Sequence, residues 1–290
     1  MSSYRFCRTD DIGLLVDALN HCWAPNVPDE PPATPASFKR SIRNLQVWCS
    51  SCMVAFSGSE PIGVLIGAKR PSGTLVHRIA VHPDHRRQGH GRHLLDSLRS
   101  KLAILGPPRI VAEVPETNTD ACALFRAAGY VEEAVLTDYV LEEGAQSRDE
   151  RASLNSASRM VIPVTIDDLA ANDVLGGNHS QTCWERAVET LSARKDDISG
   201  FAVASEERLE AWLLYIKDGT RTDILALRSL SGSAPAAHLA QLLAQLWARG
   251  IGTVRFPKVH PAEVPREHLE SLGFRPAGTH RLYVTRARAG

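Results

Sequence analysis

A turn rich in arginine and glycine joins an apolar strand to an amphipathic helix and has the residue types of an anion site. Apolar residues alternate along residues 75–81, Pro83 ends that strand, and leucines follow at helical spacing from Leu94. Glycines let backbone N–H groups approach a ligand, the helix N-terminus adds partial positive charge, and arginines donate through a fork. The stretch therefore predicts a phosphate-type ligand, bound by Arg86, Arg87, Gln88, Gly89, His90, Gly91 and Arg92.

The spacing of this turn excludes the two common phosphate loops and favours a third. A P-loop requires Lys and then Ser or Thr after its second glycine, whereas Arg92 and His93 follow Gly91, and the dinucleotide fingerprint lacks its third glycine. The turn instead resembles the V-x-P-x-x-R-x-x-G-x-G signature of the GNAT superfamily of acyl-CoA N-acyltransferases. The matching residues are Val81, Pro83, Arg86, Gly89 and Gly91.

A second segment resembles the same superfamily in the expected order. Its pattern is N-x-x-A-x-x-L-[YF]-x-x-x-G-[FY], matched by Asn118, Ala121, Leu124, Phe125, Gly129 and Tyr130. The resemblance implies acetyl-CoA as cosubstrate, held in the splay between the strands that end at Val81 and Val114. It implies contacts from Asn118, Phe125, the arginine-glycine turn and the strand residues Ile79, Ala80 and Val81, whose backbone would pair with pantetheine.

The resemblance also implies direct acyl transfer, for which two base candidates remain open. Glu113 matches the carboxylate of the E-V-x-x-x-N segment in ribosomal-protein N-acetyltransferases, and His77 resembles a proton-relay histidine of arylalkylamine N-acetyltransferases. Histidine needs the smaller pKa adjustment, whereas Glu113 requires burial. Many family members carry a tyrosine acid where Phe125 stands. The proton for the departing thiolate must therefore come from Tyr130, a cysteine or water, or the thiolate leaves without an acid.

A proline-rich segment from Ala24 to Pro35 separates the first two predicted helices. In the GNAT fold this region forms one wall of the acceptor pocket, so Trp23, Asp29 and Glu30 are candidate acceptor contacts. The alternative is that Trp23 belongs to the core and the two acids are solvated. The predicted acceptor is a small-molecule amine or a peptide N-terminus.

Composition restricts the class of protein. The 290 residues contain 33 Lys plus Arg and 33 Asp plus Glu, which disfavours a basic nucleic-acid binder or a membrane-surface protein. The N-terminus has no signal pattern and no apolar run is long enough to span a membrane, so we expect a cytoplasmic protein. Six scattered cysteines, including the pair Cys49 and Cys52, predict packing of reduced thiols, and no metal is expected.

The element pattern of the first half recurs after a polar stretch. We predict a catalytic domain over residues 1–143, a linker over 144–158, and a degenerate GNAT-like domain over 159–290. Each domain would be a mixed, mostly antiparallel sheet flanked by helices, an α+β or α/β fold. After Leu230 the second half offers SGSAPAAH, without arginine or paired glycine, so we expect one CoA site. The rival interpretation is an unrelated second α+β domain.

The predicted function is an acetyl-CoA-dependent N-acetyltransferase acting on a primary amine. Two alternatives stay open. One is a non-catalytic acyl-CoA sensor or interaction module, favoured by Phe125 and by the absence of an arginine-glycine turn from the second half. The other is an O- or S-acyltransferase. A homodimer is possible for either class of protein.

Overall fold

A computed structural model describes residues 2–27, 30–142, 160–176, 182–230 and 235–287. The chain divides into two compact units, Met1–Ala134 with Arg281–Gly290 (unit 1), and Val135–His280 (unit 2). No helix within the described ranges is long and apolar enough to cross a membrane. The predicted linker over 144–158 lies outside the described residues.

Unit 1 is built on a sheet whose strands β1 to β4 are antiparallel neighbours and whose β4 and β5 are parallel. Its order is β1-β2-β3-β4-β5, followed by the last strand of the chain. The elements are β1 (Ser2–Phe6), α1 (Ile12–Cys22), α2 (Pro35–Leu45), β2 (Met53–Ser57), β3 (Glu60–Arg70), β4 (Gly73–Val81), α3 (His90–Leu105), β5 (Arg109–Pro115) and α4 (Thr119–Ala127).

Unit 2 repeats this order, with the same antiparallel pairs and a parallel pair between its fourth and fifth strands. Its elements are β7 (Met160–Val164), α5 (Ile166–Ala171), α6 (Val188–Ala193), β8 (Ser199–Ala204), β9 (Leu209–Asp218), β10 (Arg221–Ser229), α7 (Pro235–Trp247), β11 (Thr253–Val259) and α8 (Arg266–Ser271). The predicted tandem plan and mixed, mostly antiparallel sheets are confirmed. Residues 231–234, where the anion turn was predicted to be missing, lie outside the described residues.

The last strand of each half extends into the other unit. Strand β6 (Val131–Glu142) lies in unit 2 from Val135 onward, where it pairs antiparallel with β11. Strand β12 (Arg275–Arg286) returns to unit 1 from Arg281 onward. The predicted contiguous ranges 1–143 and 159–290 therefore differ from the compact units. The physical reason is burial: Leu141 belongs to the core of unit 2 and Tyr283 to that of unit 1.

The helices that frame the candidate site are set by local sequence signals. Helix α4 begins where the Asn118 side chain accepts a hydrogen bond from the Ala121 N–H at 3.1 Å. Helix α3 buries Leu94, Leu95, Leu98 and Leu102 and ends at Gly106, before Pro107 and Pro108. The buried faces of both helices and β4 hold the α3 N-terminus beside the end of the strand.

Candidate functional site

A cavity of about 510 Å³ opens at the N-terminus of α3 in unit 1. Ten of the twelve residues predicted to contact the cosubstrate line it: Ile79, Ala80, Val81, Arg86, Arg87, Gly89, His90, Gly91, Arg92 and Asn118. The structure thus brings the end of β4, the arginine-glycine turn and α4 around one space. Its volume is typical of a pocket for a small organic ligand.

Strand β4 carries a bulge at His77. Ile66 pairs with Arg78 and Gly67 with Val76, so His77 is the extra residue opposite β3. On the other edge of β4 the parallel pairing with β5 ends at Leu75, just before the bulge. A bulge bends its strand and re-aims a side chain. The β4–β5 pairing thus ends where the family resemblance implies that the two strands separate.

The turn before α3 depends on two glycines for different reasons. Gly89 has a φ of +87°, a left-handed conformation that glycine adopts at little cost. A Cβ atom at Gly91 would lie 3.1 Å from Leu124 Cδ2, so the small residue permits close packing of α3 on α4. Arg87 also has a positive φ, of 63°. The first N–H groups of α3 have no intrahelical partners, as at any helix start, and the residues that carry them line the cavity.

We expect Gly89→Ala to reduce the free energy of unfolding by about 1 kcal/mol, because the added Cβ disfavours the left-handed conformation. The matched control is Gly13→Ala in α1, where no atom lies within 4 Å of the new Cβ. That control should be neutral or stabilising by up to about 1 kcal/mol, since alanine favours helix. Urea unfolding measures both changes. Equal effects of the two substitutions would contradict the role given to the turn.

His90, at the start of α3, connects the turn to β1. Its Nδ1 is hydrogen-bonded to the Tyr4 hydroxyl at 2.7 Å, and the Tyr4 ring lies 3.9 Å from the His93 ring. Burial, helped by the nearby His85 and His93, lowers the pKa of His90. A neutral His90 at pH 7 leaves the positive charge of the turn to its arginines.

Two predicted cosubstrate contacts do not line the cavity. Gln88 is exposed on the turn, whereas Phe125 is 2% exposed in the core of unit 1. Seven lining residues were not predicted as cosubstrate or acceptor contacts: Ala121, Leu124, Val27, His85, Asp120, Ala123 and Ala127. A signal existed for the last three, because positions 120, 123 and 127 share one face of α4 and two are alanines, which leave room for a ligand.

The three predicted catalytic residues lie in different surroundings, and none lines the cavity. Glu113 is half-buried on β5, and His77 is half-buried at the bulge. Tyr130 is in the core, its ring 5.1 Å from that of Phe125. Burial raises the pKa of Tyr130, and its hydroxyl has no hydrogen-bond partner among the described residues. The Tyr130 hydroxyl therefore stays protonated, in the core and outside the cavity lining.

Among the predicted acceptor contacts, Trp23 lines the cavity, and Glu30 is hydrogen-bonded to Trp23. The Trp23 indole N–H donates to Glu30 Oε2 at 2.8 Å. Asp29 lies outside the described residues. Within the described ranges no group of three or more His, Cys, Asp or Glu side chains could hold a metal ion. All six cysteines are buried and none forms a disulfide.

Residues 14–130 match the model of the Acetyltransferase (GNAT) family. A 61-residue stretch is 39% identical to the [ribosomal protein bS18]-alanine N-acetyltransferase of Escherichia coli strain K12, covering 21% of this chain and 41% of that enzyme. The chain thus spans less than half the length of this curated relative.

Two solved structures share the fold over the whole chain. A tandem GNAT protein from the clavulanic acid biosynthesis pathway is 15% identical, with a TM-score of 0.67 and full coverage of both chains. A GCN5-related N-acetyltransferase from Sphaerobacter thermophilus is 13% identical, with a TM-score of 0.65, covering 100% of this chain and 96% of the other. At these identities the likeness concerns the fold alone.

Proposed function

Residues 14–130 belong to the GNAT family of acetyltransferases and the chain has a tandem GNAT fold, and on this premise we propose that unit 1 is an acetyl-CoA-dependent N-acetyltransferase. The acceptor is a primary amine, of a small molecule or a peptide N-terminus. The observation that carries the proposal is that Arg86, Gly89 and the end of β4 line the same cavity.

The residues around the cavity fit acetyl-CoA by their chemistry. The pyrophosphate would take N–H groups from the α3 N-terminus and guanidinium donors from Arg86 and Arg87. Arg86 Nε itself lies 3.3 Å from the Val81 carbonyl oxygen, which fixes this side chain beside the strand. Glycine at position 91 keeps the turn free of a side chain that would crowd Leu124. Apolar Ile79 and Val81 line the same cavity and would flank the acyl end of the cosubstrate.

Acyl transfer then requires a neutral amine and a polarised thioester. A base removes the ammonium proton, and the nitrogen lone pair forms a bond to the thioester carbon. A backbone N–H near Ile79 would donate to the carbonyl oxygen as negative charge develops on it. The C–S bond breaks, CoA leaves as thiolate, the second proton of the attacking nitrogen passes to the thiolate or to water, and the amide product keeps the acetyl group. No acyl-enzyme is involved.

Substitution of Arg86 and Arg87 together by alanine tests the assignment of the turn. We expect the dissociation constant of acetyl-CoA to rise about thirtyfold, at about 1 kcal/mol for each exposed charged contact, while backbone donors remain. Isothermal titration calorimetry measures the constant. Arg40→Ala with Arg43→Ala is the matched control, because it removes the same charge from exposed positions of α2 outside the cavity. Equal affinities of the two double variants would refute the assignment.

A non-catalytic acyl-CoA sensor is the second candidate, favoured by the phenylalanine at position 125. Phe125 has no proton for a leaving thiolate, and it stacks on Tyr283 at 5.8 Å in the core. Thiol release from acetyl-CoA, screened over amines, amino acids, aminoglycosides and peptides, separates the two functions. Turnover of any amine supports the enzyme. Tight acetyl-CoA binding without turnover supports the sensor.

A further inference from the structure

Three side chains beside the cavity form a closed polar group that the arginine-glycine turn does not explain. The Arg78 guanidinium is ion-paired with Glu30 and lies 5.0 Å from the centre of the Trp23 ring. The Trp23 indole N–H donates to the other oxygen of the same carboxylate. Arg78 therefore fixes Trp23 twice, through the shared Glu30 and through a cation–π contact.

Both oxygens of Glu30 are used within this group, and its charge is matched by that of Arg78. Partial burial alone would raise the pKa of Glu30, but the hydrogen bonds from Trp23 and Arg78 and the charge of Arg78 hold it below its ordinary value. The Glu30 carboxylate is thus ionised, and the positive charge of Arg78 balances its negative charge. It is a poor general base and a poor receptor for an ammonium group.

The described residues of the adjoining cavity wall are apolar. Trp23 and Val27 line the cavity together with Ile79, the neighbour of Arg78 on β4. The carboxylate found among the described lining residues, Asp120, is on α4 rather than on this wall. His77 is near enough to help lower the pKa of Glu30, which links a base candidate to the same wall. An acceptor amine here would meet the indole face of Trp23, and the Arg78–Glu30 ion pair that contacts this indole carries no net charge.

We propose that Arg78 is a positioning residue that determines acceptor selectivity. By fixing Trp23 and cancelling the charge of Glu30, it selects amines that carry one positive charge and an apolar body over amines with a second cationic group. The inference rests on the proposed function of unit 1, because it treats this wall as the acceptor side.

Two amines of equal length isolate the second charge: n-pentylamine and its diamine counterpart cadaverine. For the wild type we expect the monoamine to be preferred, both in kcat/KM with acetyl-CoA and in the dissociation constant measured by calorimetry with CoA bound. Arg78→Met exposes the charge of Glu30, so the cadaverine to pentylamine ratio should rise about tenfold. The affinity for acetyl-CoA should stay within about twofold, since Arg78 lies outside the cavity lining.

Two further variants distinguish selectivity from misfolding. Arg78→Met combined with Glu30→Gln removes both charges and should return the ratio to the wild-type value, and Arg78→Lys should keep it. An unchanged ratio in Arg78→Met, or wild-type preference for cadaverine, overturns the inference. If both amines bind with the expected ratios but release no thiol, the proposed catalytic function fails and the selectivity of the wall stands. Absence of binding by either amine also overturns it.

Discussion

A chain truncated after His280 is expected to lose the fold of unit 1 and, with it, acetyl-CoA binding. The lost segment carries Tyr283, which is fully buried and stacks on Phe125. Removing a buried aromatic side chain costs about 3–5 kcal/mol, a large part of the 5–15 kcal/mol that stabilises a typical domain. Loss of the strand adds to this cost, so the predicted outcome is an unfolded or aggregated unit 1.

Polar contacts of the same segment strengthen this expectation. Arg281 is ion-paired with Glu116 and Glu132, on either side of α4. The Ala287 N–H donates to the Pro108 carbonyl oxygen at 2.7 Å, beside the start of β5. The C-terminal strand therefore ties together the elements that carry the α4 side of the cavity. A fragment of residues 1–143 should fail in the same way.

The matched control is truncation after Ala287, which keeps every described contact of β12. It should unfold at the same temperature as the full chain and bind acetyl-CoA equally well. Within the full chain, Tyr283→Ala should lower the unfolding free energy by about 3–5 kcal/mol, and Tyr283→Phe, which keeps the stacked ring, by much less. Near-UV circular dichroism, thermal unfolding and calorimetry measure these effects. Normal acetyl-CoA binding by the 1–280 chain would disprove this dependence.

Substitution of His77 by alanine is expected to lower kcat by about 100-fold or more, the contribution typical of a positioned general base. His77 lies at the β4 bulge and close enough to Glu30 to act on its charge, which puts the imidazole beside the wall proposed for the acceptor. Acetyl-CoA affinity should not change, because His77 does not line the cavity. The acidic limb of the pH profile of kcat should disappear, since that limb reports protonation of the base.

Glu113→Gln is the comparison variant for this prediction. The substitution keeps the size of the side chain and removes its ability to accept a proton. Loss of the acidic limb in Glu113→Gln, with the limb intact in His77→Ala, would transfer the role to Glu113. Unchanged kcat in both variants would reject both residues and leave water-mediated proton removal.

Local signals in the sequence predicted the elements well because short-range forces decide them. Asn118 as a helix cap and Gly106 before two prolines as a helix end need only neighbouring backbone groups. The arginine-glycine turn is equally local, since the strand, the left-handed Gly89 and the helix follow one another directly. For the turn to line the cavity, α3 needed only to pack against β4.

Contacts across long sequence separations could not be predicted in this way. Arg78 and Glu30 are 48 residues apart, and no residue pattern marks them as partners. The bulge at His77 depends on the register with β3, which a strand pattern does not specify. Phe125 was predicted to contact the cosubstrate, but the structure places it in the core against Tyr283.

The sequence by itself determined a tandem plan of two similar halves and the local form of the arginine-glycine turn, because apolar periodicity, caps and glycines act over a few neighbouring residues. The tertiary structure decided which half each terminal strand completes. Leu141 and Tyr283 are apolar strand residues that either core could bury, and only the assembled sheets place Leu141 in unit 2 and Tyr283 in unit 1. The arginine-glycine turn therefore belongs to a unit whose own half of the chain cannot complete its core.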